Sequence, residues 1–431
     1  WGAQVLRRDS LIVIMTTHKA FPKFGSSTPY AEPSWYQGMA SPHYTDSHVV
    51  FRRKVRDFID REIIPNVDQW EEDNCRMGLE IDAKAMAQKA VAAGVFAPQM
   101  PVELGGTPTD GEWDHFHDFI WIDELSRIGA SGVIATLTIW TMALPPILNF
   151  ASDYIKNLVV KPVLRGEKII ALCITEPTAG SDVASLKTVA RKHGDHYVLN
   201  GQKKWITCAL FADYFTVACR TGGNGPKGIS LLLVPRDLPG VSVRRMKLQG
   251  NWPAGTAMVT FEDVKVPIIN IIGEENQGFK PLLFNFNHER FLIATQALRQ
   301  ARLCIEDAIE FASARTAFDE KLIKKDVIRE KIANMANKIE STHAFGEHVA
   351  FQLDSNIGPA IGGPMALYKV MAAETFEFCA REASQILGGA SYTREGKGQR
   401  VERLYREVRS YCIPGGSIEV LSLFAVKAAR L

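Results

Sequence analysis

The sequence has no dominant charge, no long apolar run and no paired-cysteine motif, and each absence removes a class of function. Fifty Lys and Arg residues stand against 48 Asp and Glu, a net charge of +2. That gives no electrostatic case for nucleic acid as the main partner. No apolar run reaches the roughly 18 residues of a membrane span, so no membrane partner is expected. The seven cysteines (Cys75, Cys173, Cys208, Cys219, Cys304, Cys379, Cys412) are odd in number and contain no Cys-x-x-Cys pair. A reducing compartment and no metal site follow. A nucleotide-binding helix is also missing. Gly223-Asn224-Gly225-Pro226-Lys227-Gly228 fits Gly-x-Gly-x-x-Gly, but a strand pattern, Ile229 to Val234, follows it. The motif needs a helix there to place phosphate on its N-terminus, so this reads as a hairpin loop.

What is present is ordinary for a globular enzyme: 46% hydrophobic and 23% charged residues over 431 positions, enough for two or three domains. The chain opens on Trp1, and Met15 is its first methionine. Residues 1–14 read as an extension, basic and apolar (Arg7, Arg8, Leu11 to Ile14) but too irregular for a targeting peptide. Residues 15–46 read as coil lying over the surface, so 1–46 form an N-terminal extension.

Domain 47–165 is predicted helical. Thr45-Asp46-Ser47 caps a helix that Pro65 ends, and further helices lie near 83–93, 115–127 and 135–150. From 166 to 275 the period becomes two, with strands at 169–174, 188–192, 197–203, 214–220, 229–235 and 257–266. Gly194-Asp195 and Asn200-Gly201 supply turns. Region 276–431 returns to helix: an Ala294-Ala297-Leu298-Ala301-Ile305 stripe, then 326–351, 364–387 and 418–429. The fold class is α+β, a helical domain, a β-barrel-like domain and a C-terminal four-helix bundle.

Two segments carry candidate chemistry. Strand 169–174 leads into Thr175-Glu176-Pro177-Thr178-Ala179-Gly180-Ser181-Asp182, a turn able to offer backbone N–H groups and a Thr oxygen to a polar ring edge. Trp205-Ile206-Thr207 could cover that ring and reach its nitrogen. Alone, the pair also reads as a turn and a half-buried strand.

Ile174 to Ser185 matches the first signature of the acyl-CoA dehydrogenase family, and Gln202 to Thr207 resembles that family's flavin-flanking strand. The resemblance runs from about Ser47 to about Lys427 and includes Pro101 to Gly106 and Asp123 to Arg127. It implies FAD as cofactor and an acyl-CoA substrate. It implies a homodimer or homotetramer with the FAD site shared between subunits, and electron-transfer flavoprotein or oxygen as acceptor. Residue by residue, it places Leu172, Ile174, Thr175, Gly180, Ser181, Trp205, Ile206 and Thr207 around the isoalloxazine and pyrophosphate, with Ser181 also toward substrate. Arg315, with Phe318, matches the arginine that neutralises FAD phosphate on a neighbouring subunit. Gln385, Gly388 and Gly389 match the adenosine contact, and the resemblance also counts Gly416 and Ser417, near the C-terminus, among the cofactor contacts.

The catalytic base departs from most of the family. Taking an α-proton from a thioester needs a carboxylate in a dry pocket, its pKa raised toward neutrality. The family's usual Tyr-Glu-Gly-Thr loop is here Pro414-Gly415-Gly416-Ser417. The long-chain and isovaleryl branches carry the Glu one residue before an Arg on the first bundle helix. Asn287-His288-Glu289-Arg290 stands there, so Glu289 is the implied base, Arg290 faces the CoA portion, and the Gly415 N–H remains to polarise the carbonyl. His288 reads more readily as a structural histidine than as a second acid or base.

Other departures are Trp252 and Ala254 for Arg and Ser, Asp326 for Gln, Ser391 for Gly, and a longer 395–400 loop. The implied reaction is α,β-dehydrogenation of a fatty acyl-CoA, as in fatty acid β-oxidation. The alternatives are an acyl-CoA oxidase or another flavin reaction, and a DNA-associated flavoprotein. Arg394, Lys397, Arg400, Arg403, Arg406 and Arg409 would serve the last, but interleaved Glu residues favour a salt-bridged surface helix. Ala429-Arg430-Leu431 is a conservative variant of a peroxisomal address. Peroxisome is the expected location, with cytoplasm or mitochondrion as alternatives.

Overall fold

A computed structural model describes residues 19–76, 81–109, 111–355 and 357–430. The expectations for 1–14 and for Leu431 lie outside the described residues. Helix α1 (Asp46–Phe58) starts on a capping box in which the Thr45 side chain and His48 exchange bonds with each other's backbone N–H. Pro65 does not end this helical run. A π-turn (Ile59–Ile63) and a 3-10 turn (Ile64–Asn66) carry the chain past it into α2 (Val67–Arg76). Proline is tolerated there because it opens a new turn, where its missing N–H has no partner to lose.

Helices α3 (Ala83–Ala92) and α4 (His115–Ser126) follow. The expected helix 135–150 is three pieces, α5 (Ser131–Thr138), α6 (Trp140–Ala143) and α7 (Pro145–Phe150), with Pro145 and Pro146 starting the last. Helix α8 (Asp153–Leu164) closes the domain. Among the described residues no single helix is long and apolar enough to cross a membrane.

The middle region is an eight-stranded sheet of order β6-β7-β3-β2-β4-β5-β8, with β1 beside β4. Its strands are β1 (Ile170–Cys173), β2 (Val189–His193), β3 (His196–Ile206), β4 (Tyr214–Arg220), β5 (Ile229–Pro235), β6 (Val241–Arg245), β7 (Ala257–Pro267) and β8 (Ile271–Ile272). The Gly223–Gly228 loop joins β4 to β5, and Gly194-Asp195 turns β2 into β3. Asn200-Gly201, however, is no turn. It lies inside β3 opposite a bulge in β7, because Leu199 pairs with Val264 while Gly201 pairs with Phe261. The Asn200 amide holds the bulged Asp263 by two hydrogen bonds.

The C-terminal region contains α9 (Phe279–Phe284), α10 (Phe286–Ala314), α11 (Asp326–Asp354), α12 (Gly362–Leu387), α13 (Gln399–Glu407), α14 (Arg409–Cys412) and α15 (Ile418–Ala428), with a two-stranded hairpin at Thr316–Lys321. Helices α13 and α14 are additional to the expected bundle. The arginines from 394 to 409 are spent on carboxylates: Arg394 on Glu72, Arg400 on Asp307, Arg403 on Asp68, Arg406 on Glu71 and Glu402, Arg409 on Glu377. Ser391 donates to Ser384 O and Gly388 O, so it stitches the turn after α12 together.

The arm before α1 is coil as expected, apart from a 3-10 turn (Ser34–Gln37), but it does not stay on the surface. Phe21, Trp35, Tyr36 and Tyr44 are buried in one core with α1, α4, α10 and α12. Its Glu32 is ion-paired to Arg56 of α1 and Arg299 of α10, and Arg299 also pairs with Asp123 of α4. Burial raises the Glu32 pKa, but the two guanidinium groups win and hold it down at about 2. Aromatic residues in a Pro- and Ser-rich stretch carry this burial without any helical or strand period to announce it.

Candidate active site

The Thr175 loop is fixed from β3. Buried Lys203 donates to Ile174 O at 2.9 Å and to Glu176 Oε1 at 2.8 Å, and Lys204 N donates to Thr175 O at 2.9 Å. Glu176 also accepts the N–H groups of Lys187 and Thr188. Burial raises its pKa, but the Lys203 charge and these bonds keep the carboxyl below its ordinary value.

Trp205 owes its place to a second irregularity. Lys203 pairs with Val259 and Ile206 with Ala257, so β3 carries one extra residue. Trp205 takes it up at φ 59°, in the left-handed region that non-glycine residues rarely enter. Its indole is 47% exposed, whereas Ile206 beside it is buried, so the bulge turns a large apolar ring out of the sheet.

Thr175, Gly180, Ser181, Trp205 and Thr207 all line one cavity of about 560 Å³. Its other walls are α5 and α6 (Ala135, Thr138, Met142), α10 (Ile293, Gln296) and the segment from Arg406 to Pro414. The lining is mostly apolar, yet Ser131 Oγ, Asn251 Oδ1 and Thr256 Oγ1 are buried there with no hydrogen-bond partner among the described residues. Such atoms are costly unless a ligand or water meets them. An aromatic cover, hydroxyl groups and orphaned polar atoms around an apolar slot fit a planar heteroaromatic ring. Leu172 and Ile174 are half-buried at the strand end below it. Trp252 lies behind this wall, with the Arg406 guanidinium 3.9 Å and that of Arg394 4.7 Å from its ring centroid.

Glu289 lies in the first turn of α10, one turn before the wall residue Ile293, and is 7% exposed. Asn285 Nδ2 donates to its Oε1 at 3.1 Å and to Thr141 O at 2.7 Å, which ties the carboxyl to the end of α6. Burial pushes the Glu289 pKa up to about 7, against the Asn285 amide and the charges of His288 and Arg290. His288 faces Asp118 of α4 at 3.7 Å.

Gly415 sits opposite. A Cβ there would be 3.1 Å from Ile293 Cδ1 and 3.7 Å from Arg290 Cγ, and Arg290 Nε donates to Gly415 O at 3.0 Å. The Glu-bearing turn of α10 and the glycine loop are therefore in direct contact. Among the described residues the Gly415 N–H has no acceptor. Ser417 caps α15 through Val420 N.

The remaining candidates stand elsewhere. Arg315 follows the last residue of α10, 26 residues beyond Glu289, about 39 Å at 1.5 Å per residue. It is exposed, as is Phe318 at 93%. Gln385, Gly388 and Gly389 are exposed at the far end of α12. The α5 wall and Asn285 escaped the sequence reading. Asn285 could have been found as the residue one turn before the Glu, whereas the wall depends on how α5 packs.

Most of the chain has recognisable relatives. Residues 45–167, 171–264 and 276–429 match the acyl-CoA dehydrogenase N-terminal, middle and C-terminal domains in turn. The chain belongs to the acyl-CoA dehydrogenase family. It is 41% identical to acyl-CoA dehydrogenase AFT10-1 of Alternaria alternata over 94% of this chain and 96% of that one. It is 34% identical to human short-chain specific acyl-CoA dehydrogenase, covering 90% of each. The solved butyryl-CoA dehydrogenase of Megasphaera elsdenii superposes with a TM-score of 0.82 at 27% identity, covering 91% of this chain and all of that one. As an acyl-CoA dehydrogenase the chain is an oxidoreductase with FAD as cofactor. The three domains and the polar-dotted apolar cavity between the sheet and α10 accord with that cofactor.

Proposed function

We propose that this enzyme oxidises a fatty acyl-CoA to the 2-enoyl-CoA, with Glu289 as the base that removes the α-proton. The observation that carries it is the buried Glu289 carboxyl, raised to about 7, one helical turn from the cavity-lining Ile293 on a helix whose partner loop has glycine where a second carboxylate would stand. A base poised near the working pH serves proton abstraction best. FAD, when bound, supplies the acceptor for the β-hydride.

The chain's own part is positional. Thr175, Thr207 and Ser181 would hold the ring edge by hydrogen bonds, and Trp205 would cover its face. Asn285 orients the Glu289 carboxyl. The Gly415 N–H, which meets no acceptor among the described residues, would donate to the thioester oxygen, and Arg290, held against the Gly415 carbonyl, would add positive charge on the CoA side. The apolar wall of Ala135, Ile139, Met142 and Ile293 excludes water from the acyl chain.

Arg315 lies about 28 Å along the helix past Gln296, the last residue of α10 to line its own protomer's cavity. Its exposed guanidinium, with Gln385, Gly388 and Gly389, is read as the phosphate and adenosine contact for FAD of a second protomer. An electron-transfer flavoprotein is the proposed acceptor, by analogy with the caffeyl-CoA reductase-Etf complex subunit CarC of Acetobacterium woodii, which is 30% identical. Peroxide formed in air would point to oxygen instead.

Anaerobic titration of the purified holoenzyme with acyl-CoAs of graded length, followed by flavin absorbance, tests the reaction. Bleaching by saturated acyl-CoA is expected. Glu289→Gln should retain FAD yet bleach about 10²–10⁴-fold more slowly; bleaching at the wild-type rate removes Glu289 as the base.

A further inference from the structure

The buried lysine of α12 has no role in the reading above. Lys369 is fully buried, and among the described residues no carboxylate pairs with it. Its ammonium donates instead to two main-chain carbonyls, Cys412 O at 3.1 Å and Gly416 O at 2.7 Å. Burial pushes its pKa down to about 8. A charge taken from water and met only by carbonyl dipoles is expensive. An apolar side chain of the same length would fill the space without that cost, so packing alone does not account for it.

The two carbonyls bracket the Gly415 peptide. Gly415 and Gly416 have φ of 70° and 107°, the left-handed region, and a pair of glycines is the least restrained backbone a loop can have. Arg290 holds the carbonyl between them. Three anchors, Lys369 to Cys412, Arg290 to Gly415 and Lys369 to Gly416, therefore hold carbonyls on both sides of the Pro414–Gly415 peptide, whose own N–H meets no acceptor among the described residues. We propose that Lys369 is a positioning residue for this oxyanion donor, aiming the Gly415 N–H through its grip on the 412–416 segment. The inference rests on the acyl-CoA reading of the cavity.

The test compares wild type, Lys369→Met and Lys369→Arg, each as FAD-loaded protein. Affinities are measured for a CoA thioester lacking α-hydrogens, which cannot react, and for the thioether in which CH2 replaces its carbonyl. Wild type should prefer the thioester. K369M should lose most of that preference by weakening the thioester alone. Its kcat should fall roughly 10²-fold, the scale of a lost oxyanion donor, with KM rising only as far as the thioester affinity falls. K369R, which keeps charge and donors, should recover part of both. Should K369M fail to hold FAD, the same affinity ratio and the carbonyl stretching frequency of the bound thioester are read on K369R and Lys369→Gln. The proposal is overturned if the variants keep the wild-type ratio, or if both ligands weaken together, as a purely structural lysine would require. If wild type itself shows no preference, the acyl-CoA reading of the loop fails instead.

Discussion

Glu289 is a carboxylic acid whose surroundings favour its proton. Its group titrates near 7 in the folded chain against 4.5 ordinarily, so the folded state binds that proton more tightly than the unfolded one. Two consequences have opposite uses. Activity needs the deprotonated form, so kcat/KM should rise with pH along a limb centred near pH 7, and a limb near 4.5 would mean another base. Stability runs the other way: it falls as pH rises from about 4.5 to about 7 and stays lower above. Glu289→Gln removes that penalty, so at pH 8 it should be more stable than wild type by up to about 3 kcal/mol, at roughly 1.4 kcal/mol per pH unit, and melt at a higher Tm. The two proteins should melt together near pH 4. Calorimetry at the two pH values checks the sign.

At the scale of elements, the cavity depends on irregularities rather than on regular helix and strand. The β3 bulge puts Trp205 outward, and the glycine pair at 415–416 lets the loop lie flat on α10. Gly415→Ala meets both a positive φ and the Ile293 methyl at 3.1 Å. It should cost about 1–2 kcal/mol in stability and lower kcat by an order of magnitude or more, measured by thermal melting and steady-state rates. These features explain what was legible beforehand. Thr175, Trp205 and Thr207 sit in contiguous motifs, and the Glu289-Arg290 pair stands out once Gly415 is seen to lack a side chain. Asn200-Gly201 misled because a hairpin dipeptide and a bulge use the same residues, and only the register of β7 separates them. Strand β6 has exposed alternate positions and five residues, too little pattern to separate it from loop. The cavity wall on α5 carries no motif at all, only a place in the packing.

For the molecule as a whole, the paired charges around Glu32 join three parts of the chain. Removing its charge leaves Arg299 with Asp123 and Arg56 with Glu124, so the loss is partial. Glu32→Gln should still cost about 3 kcal/mol at pH 7, the low end for breaking a buried pair. Because the folded Glu32 pKa is lowered to about 2, its contribution is present above the ordinary carboxylate range and fades as the pH drops toward 2. The difference in urea midpoint between E32Q and wild type should therefore shrink steadily below pH 4; a constant difference would mean the pair contributes nothing.

The recognisable family domains begin at residue 45, but Phe21, Trp35, Tyr36 and Tyr44 precede that boundary and are buried. A protein trimmed to the shared domains would open an aromatic socket over α1 and α4 and strand Arg52, whose guanidinium stacks on Phe24, Trp35 and Tyr36. Such a truncation should bind hydrophobic dyes and aggregate, so the preface to this enzyme is part of its keel.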